Sequence, residues 1–294
     1  MSHVRAPFRI LSRPPLVLGA SGRIGRALRH RLGADAALWQ ARRAQAGAGW
    51  CLFDPLSDPE ALTAAAGAAG QILCLAGPVP GRGGGDLRDT IALGEAAVRA
   101  GAALGGRVLL ASSAAIYGAQ TGPLHEDLAP RPANAYGQAK AEMEARAQDL
   151  GRELGVAVCC LRVGNVAGFD AILGGWRPGF RLDQFADGRT PRRSYIGALT
   201  LADVLGALLA LPELPPMLNI AQPGPVEMGA LLRAAGRDYA TAPAPETAIA
   251  EVALDVSRLT GFLAPELALP AADPAVMWAE FAQLEPHMKD ETAP

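Results

Sequence analysis

Leu16-Val17-Leu18-Gly19-Ala20-Ser21-Gly22-Arg23-Ile24-Gly25 is the stretch that decides the fold. Three consecutive apolar residues read as a short strand, three glycines at three-residue spacing as a tight turn, and the residues from Arg23 onward as a helix. Glycine clears the space that a Cβ would fill where a turn brings backbone close to a neighbour or a ligand. A helix that begins straight after such a turn offers unpaired N–H groups and a partial positive charge to an anion, which is how the pyrophosphate of a dinucleotide is held. By composition the glycine pattern is cheap, because the chain has 34 glycines in 294 residues. Its place between strand and helix is what carries the reading.

The alternation continues outward from that unit. Short apolar runs stand at Leu16–Leu18, Ala37–Gln40, Trp50–Phe53, Ile72–Leu75, Val108–Ala111, Val156–Leu161 and Met217–Ile220. They are continuous rather than alternating, as expected of strands covered on both faces. Between them, helical periods run over 23–33, 58–69, 87–103, 136–154 and 200–211, the second with Ser57, Pro59 and Glu60 as a start signal. The expected fold is α/β, a doubly wound parallel (Rossmann) sheet with a smaller C-terminal substrate lobe. Residues 1–164 form the expected dinucleotide-binding domain, with 196–222 returning to it. Residues 165–195, which show no clear period, and 223–294, rich in Pro-flanked pieces, form the expected substrate-binding lobe. The glycines of Gly81–Gly85 read as a flexible loop after the fourth strand.

Composition bounds the class. Half the residues are hydrophobic, enough for a sizeable core, and the net charge is −2 without a basic block, so nucleic acid is not an expected partner. The most apolar stretch, Ala198 to Leu211, carries Asp203 and is too short to span a bilayer, and Met1–Pro15 has no apolar signal core. Cys51, Cys74, Cys159 and Cys160 lie in or beside apolar runs without metal-ligand spacing. They read as small buried hydrophobes in a reducing compartment, so the expectation is a cytoplasmic protein with no metal and no membrane.

Two further stretches carry chemistry. A second strand that ends in Asp or Glu favours NAD, whose ribose 2′-hydroxyl the carboxylate receives. Here the strand ends Gln40-Ala41-Arg42-Arg43. Arginines pair with a 2′-phosphate, so NADP is the expected cofactor, with NAD as the alternative. Tyr136-Gly137-Gln138-Ala139-Lys140 opens a helix and places Tyr136 and Lys140 one turn apart on one face. With four tyrosines and only two lysines in the chain, about 0.03 such pairs arise by chance. A neighbouring ammonium favours the phenolate and is expected to pull the Tyr136 pKa toward the working range. Upstream, Ser112-Ser113 ends a strand, where ligands of parallel sheets sit, and either hydroxyl could donate to a substrate oxygen.

With these residues in hand, the chain resembles the extended branch of the short-chain dehydrogenase/reductase superfamily, the NAD(P)-dependent epimerase/dehydratase family. The resemblance covers Gly19–Gly25, Asp54-Pro55-Leu56-Ser57-Asp58-Pro59-Glu60, Leu75-Ala76-Gly77 and Ser112–Gly118. It continues through Asn134–Lys140, Leu161–Val166 and Leu254–Arg258. It implies Ser113, Tyr136 and Lys140 as the catalytic set. It implies a cofactor site of Gly19, Ser21, Gly22, Arg23, Ile24, Gly25, Asp54, Ala76 and Gly77, with Arg42, Arg43, Tyr136 and Lys140. Substrate contacts fall to Ser113, Asn165 and Arg193, the last ten residues before Asp203. The family's 4,6-dehydratases carry Asp-Glu after the catalytic Thr, decarboxylating members a Glu, and the fucose-synthase type a Cys. Ala114 and Ala115 stand at those positions and transfer no protons.

The resemblance therefore implies hydride transfer between a nicotinamide cofactor and a small carbonyl/alcohol or sugar-type substrate. The alternatives are a nucleotide-sugar epimerase with tightly bound NAD and a non-catalytic NADP-binding sensor. A homodimer through 87–103 and 136–154 is the family-level expectation, with Ala139, Ala141, Ala145 and Ala147 allowing close helix approach.

Overall fold

Every apolar run singled out in the sequence pairs with its neighbours in one parallel sheet. The computed structural model describes residues 13–78, 86–263 and 267–289. The Gly81–Gly85 loop and most of Met1–Pro15 lie outside the described residues. The first half of the chain runs β1 (Leu16–Leu18), α1 (Arg23–Leu32), β2 (Leu38–Ala41), β3 (Trp50–Leu52), α2 (Pro59–Ala68), β4 (Gln71–Cys74), α3 (Arg88–Leu104) and β5 (Arg107–Ser113). It continues with β6 (Pro123–Leu124), α4 (Ala135–Leu154), β7 (Val158–Val163), β8 (Asn165–Val166), β9 (Arg181–Gln184), β10 (Arg192–Ile196), α5 (Ala198–Ala210) and β11 (Met217–Ile220). The last part holds β12 (Pro225–Glu227), α6 (Met228–Ala234), β13 (Ala240–Pro243), β14 (Glu251–Leu254), α7 (Ser257–Phe262) and α8 (Pro274–Lys289).

The seven-stranded sheet has the order β11-β7-β5-β4-β1-β2-β3. The chain moves outward from β1 to β3, then returns to β4 and builds the other way, so the order reverses between β1 and β4. Alternate residues of each strand feed opposite cores. Val17, Leu73, Leu109 and Leu161 pack toward α1 and α5, while Leu16, Leu18, Ile72 and Leu110 pack toward α2, α3 and α4. Both faces are covered, which is why the runs read as continuous.

The two stretches without a clear period hold structure of their own. β10 pairs antiparallel with β12 and parallel with β14 and β8, while β13 pairs with β9. These strands are two to five residues long, too short to show a period. α8 was hidden by Pro274 and Pro286, which read as breaks; Pro274 instead opens the helix and Pro286 lies inside it. α8 reaches back to the main sheet's helices. Glu280 accepts the Leu199 and Thr200 N–H groups at 2.9 Å each and so caps α5 from another element. Arg31 of α1 grips Asp203 of α5 through two bonds of 2.6 and 2.9 Å.

Two local expectations are corrected. α2 is capped by Asp58, which accepts the Ala61 N–H at 3.0 Å, and not by Ser57. Pro59 takes the first helical position, where its missing N–H costs nothing, and the cap falls on the residue before it. Of the four alanines expected to allow helix approach, Ala139 and Ala147 are buried against their own chain, Ala141 is half-buried and Ala145 is exposed. α3 and α4 also pack closely within the chain, where a Cβ on Gly94 of α3 would stand 2.7 Å from Met143 of α4. Cys74, Cys159 and Cys160 are buried as expected, whereas Cys51 is half-buried.

One buried cation ties these parts together. Arg162 of β7 is 1% exposed. Its Nη2 donates to Glu144 Oε2 on α4 at 2.8 Å, and its Nη1 to Tyr117 Oη at 2.9 Å and Glu126 O at 2.7 Å. Tyr117 donates onward to Asn219 Oδ1 of β11 at 2.8 Å, and Asn219 Nδ2 donates to the carbonyls of Leu124 and Asp255 at 2.7 and 2.9 Å. Removing one partner strands a charge without water. Arg162→Leu is expected to cost about 3–5 kcal/mol in urea unfolding; a loss below about 1 kcal/mol, the range of an exposed pair, would refute this account.

Candidate active site

The turn after β1 is built by close backbone approach. Gly19 has φ +75°, and a Cβ there would stand 2.6 Å from the Ala76 nitrogen at the end of β4. A Cβ on Gly25 would stand 2.5 Å from Ala20, so α1 packs down onto its own turn. Gln40, 1% exposed on β2, pins the turn from the other side. Its Oε1 accepts the Gly19 N–H at 2.8 Å and its Nε2 donates to the Phe53 carbonyl at 2.5 Å. No side chain caps the N-terminus of α1, and its first turn holds no acid. These features fit a dinucleotide diphosphate laid across the turn.

A cleft of about 870 Å³ opens there, beyond the carboxyl ends of β1 and β4. Gly19, Ser21, Gly22 and Arg23 form one wall, Arg42 and Asp54 another, and Ala76 and Gly77 its floor. Five expected cofactor residues do not line it, Tyr136 and Lys140 among them. Ile24 packs against the core, Gly25 serves the helix–turn contact, and Arg43 is exposed outside the cleft. The Arg42 side chain is 76% exposed and lies 3.9 Å from Asp54, a loose pair of little energetic weight.

The sequence reading missed Gln40, Arg26, Phe169 and the α8 residues Phe281, Glu285 and Met288, all of which line the cleft. Gln40 had a signal, a lone polar side chain inside an apolar strand. The α8 residues had none, since nothing local places residue 281 beside residue 19. Phe281 meets Phe169 edge-on at 6.1 Å, and Arg23 donates to the Phe169 carbonyl with its guanidinium 5.8 Å from that ring.

Ser113, Tyr136 and Lys140 come together beside Gly77. β5 runs to Ser113, whose Oγ accepts the Ala115 N–H at 3.2 Å, starting the 3₁₀ turn Ala114–Tyr117. Asn134 caps α4 by accepting the Gly137 N–H at 2.9 Å, which fixes the first turn that carries Tyr136. A Cβ on Gly137 would stand 2.5 Å from the Ala115 carbonyl oxygen, so glycine lets α4 begin hard against the serine turn. Against burial, which raises the Tyr136 pKa, the Ser113 hydroxyl acts on the phenol and lowers it. The Ser112 hydroxyl is buried with no partner among the described residues.

Lys140 is buried, donates to the Ala111 carbonyl at 2.7 Å and lies 5.9 Å from the Tyr136 ring centroid. A Cβ on Gly77 would be 3.8 Å from its Nζ, so the ammonium lies behind Gly77, a cleft residue, without itself lining the cleft. The expected tuning of Tyr136 by Lys140 is not what the geometry gives. Burial raises the Tyr136 pKa, and the Ser113 hydrogen bond and the Arg23 charge offset it. Burial lowers Lys140, against the opposing pull of Cys74, Cys160 and Glu144.

Asn165 and Arg193 stand apart from this group. Asn165 pairs in register with Tyr195 and is hydrogen-bonded to its side chain, and Tyr195 donates to Asp170 Oδ2 at 2.6 Å. Arg193 donates to the Arg192 and Ile249 carbonyls at 2.7 and 2.9 Å. Among the described residues neither is hydrogen-bonded to Ser113, Tyr136 or Lys140, and neither lines the cleft.

The profile of the NAD dependent epimerase/dehydratase family matches residues 15–172. No curated protein matches the chain. Among solved structures, MoeE5 in complex with UDP-glucose and NAD superposes with a TM-score of 0.75 at 20% identity, over 94% of this chain and 100% of that one. UDP-glucuronic acid 4-epimerase from Bacillus cereus, with UDP-glucuronic acid and NAD, gives 0.74 at 16%, over 93% and 99%. DesIV, a dTDP-glucose 4,6-dehydratase from Streptomyces venezuelae with NAD and TYD bound, gives 0.72 at 16%, over 94% and 99%. No described helix is long and apolar enough to cross a membrane.

The α4 contact yields a test of sign. Ala exceeds Gly in helix propensity by about 1 kcal/mol, yet Gly137→Ala is expected to destabilise by about 1–3 kcal/mol because the carbonyl it meets belongs to backbone. Urea unfolding reads the difference, and a stabilised variant would overturn the close-approach account.

Proposed function

The chain belongs to the NAD dependent epimerase/dehydratase family, and from that premise we propose that it is an NAD(P)-dependent oxidoreductase acting on a carbonyl/alcohol or sugar-type substrate. The observation that carries the reading is the grouping of Ser113, Tyr136 and a buried Lys140, whose Nζ donates to Ala111 and lies behind the cleft residue Gly77. Tyr136 exchanges a proton with the substrate oxygen, and Ser113 orients that oxygen. Lys140, anchored on Ala111, would hold the nicotinamide ribose with its remaining N–H groups. The cofactor, when bound, supplies or accepts the hydride. Ala114 and Ala115 have no titratable group, so those two positions supply no second acid–base step of the dehydratase kind, and Tyr136 is the proposed proton carrier.

NADP is the proposed cofactor, with Arg42 as its 2′-phosphate contact, because the cleft wall at the end of β2 offers an exposed guanidinium only loosely paired with Asp54. Gln40 is already committed to Gly19 and Phe53. A second reading, a nucleotide-sugar epimerase that retains NAD, is favoured by Arg193. Its half-buried guanidinium is held by backbone carbonyls, with no carboxylate within 4.0 Å among the described residues, so it can meet a substrate phosphate. The lobe of 165–195 and 223–294 would then supply the substrate contacts.

Titrating nucleotide-stripped protein with NADPH and NADH separates the two. NADPH binding at least tenfold tighter, lost in Arg42→Ala, supports the first reading; NADH-favoured binding, with cofactor absorbance retained through purification, supports the second. No binding of either sinks both.

Tyr136→Phe is expected to abolish turnover while leaving cofactor affinity within about twofold. Its burial also sets a sign. Because the phenol's pKa is raised above 10.0 in the cofactor-free protein, the group stays protonated at neutral pH, ready to donate, and oxidation of an alcohol gains from rising pH. Tyrosinate absorbance of wild type minus Tyr136→Phe should show the transition above pH 10.0; one below it would contradict this electrostatic account.

A further inference from the structure

Asp89 lines the cleft from the first turn of α3 and is half-buried there. Among the described residues its carboxylate has no hydrogen bond and no ion pair. The neighbouring Arg88 feels the Asp89 charge but gives its Nε hydrogen bond to Asp86 at 2.8 Å. Asp54, in the turn between β3 and α2, is already engaged. Its Oδ1 accepts the Leu56 N–H at 2.9 Å, and its Oδ2 faces Arg42 at 3.9 Å. Asp89 keeps both of its oxygens open to a ligand.

The fold puts Asp89 at the end of the cleft where the base of a dinucleotide would lie. Helices α2 and α3 both begin at the carboxyl edge of the sheet, and Leu62 and Ala66 of α2 share one core with Leu93 and Ala97 of α3. The start of α3 therefore stands beside the turn 54–57 that leads into α2. Leu56 from that turn, Leu93 one helical turn beyond Asp89, and Pro78 after β4 all line the cleft. Apolar side chains around a single open polar group suit a flat ring with one polar edge. Tyr136 and Lys140 belong to α4, on the far side of α3 from α2.

We infer that Asp89 is a specificity-determining residue, which accepts a hydrogen bond from the 6-amino group of adenine and rejects a purine that carries a 6-oxo group. An open carboxylate in a cleft that takes an anionic dinucleotide repels its ligand unless it meets a donor there. At the base, the exocyclic amine is that donor. A 6-oxo group instead sets its lone pairs against the carboxylate, and a site built to receive a donor discriminates strongly against a ligand that lacks it. The inference rests on the dinucleotide site of the proposed function. It holds for NAD and NADP alike and needs no hydride transfer.

Equilibrium binding to the nucleotide-stripped full chain tests it, comparing whichever of NADH and NADPH binds more tightly with its hypoxanthine counterpart. The wild type is expected to favour adenine by about tenfold or more, and Asp89→Asn, whose amide turns its NH2 to the 6-oxo group, to bring the ratio within about threefold. Asp89→Ser, with a hydroxyl that donates or accepts, gives the same reading should the first variant fail to fold. An acid that only complements the dipole at the start of α3 would change stability and leave the ratio alone. An unchanged ratio in a folded variant, or no preference in the wild type, overturns the assignment. So does a ratio that moves in Asp54→Asn and not in Asp89→Asn. In these cases the dinucleotide still binds and the proposed function stands, whereas a wild type that binds neither form removes the site and the inference with it.

Discussion

Arg162 carries a full charge in a place that water does not reach, and the elements around it are fixed by what that charge needs. An unpaired ion at such a depth costs several kcal/mol, so its donors must all be met and met together. The carboxylate comes from α4, the hydroxyl from the turn after β5 and the carbonyl from the segment that leads out of β6. None of these can shift alone without stranding the guanidinium. α4 carries Tyr136 and Lys140, and β5, paired with β7 so that Ser112 lies opposite Arg162, carries Ser113. The distance between the proposed proton donor and its serine is thus held by a network about two turns further along the helix. A polar network of this kind fixes geometry only because it is complete.

The sheet and its helices were legible because their signals are local. Leu16–Leu18, Ile72–Leu75 and Met217–Ile220 are apolar on both faces, and the glycines after β1 announce a turn at the one place where the strand order reverses. The proposed reacting group stood out in the sequence for the same reason, since Tyr136 and Lys140 share a helical turn and Ser113 ends a strand. What stayed hidden was assembled across the chain. The small strands β8, β10, β12 and β14 derive their pairing from one another and not from their own pattern. Glu280 caps a helix that starts eighty residues earlier, and Phe281 meets a wall made by the first turn. The Lys140 expectation failed because spacing gives proximity along a helix but not direction: its ammonium turned to Ala111, leaving burial to govern Tyr136.

Net charge also concealed as much as it disclosed. A value of −2 averages over α1, whose exposed side carries Arg23, Arg26, Arg29, His30 and Arg31 within nine residues. These cations are dealt with in different ways, by a carboxylate for Arg31, by carbonyls and indole rings for Arg29, and by a carbonyl and a phenyl ring for Arg23. The carboxylate neutralises Arg31, whereas the carbonyl of Ala48 orients Arg29 without neutralising it.

α8 gives the order of synthesis a meaning for this protein. The cleft is begun by Gly19, yet one of its sides consists of Phe281 and Met288. A chain emerging from the ribosome makes the glycine turn, the sheet and the tyrosine helix long before the residues that complete the nucleotide's enclosure exist. During that interval the cleft stands open along one flank, and the first turn of α1 faces solvent. Closure waits for the final helix to arrive, so full enclosure of the nucleotide is a late event in the life of the polypeptide, and newly made chains pass through a stage in which the sheet is complete and the binding site is not.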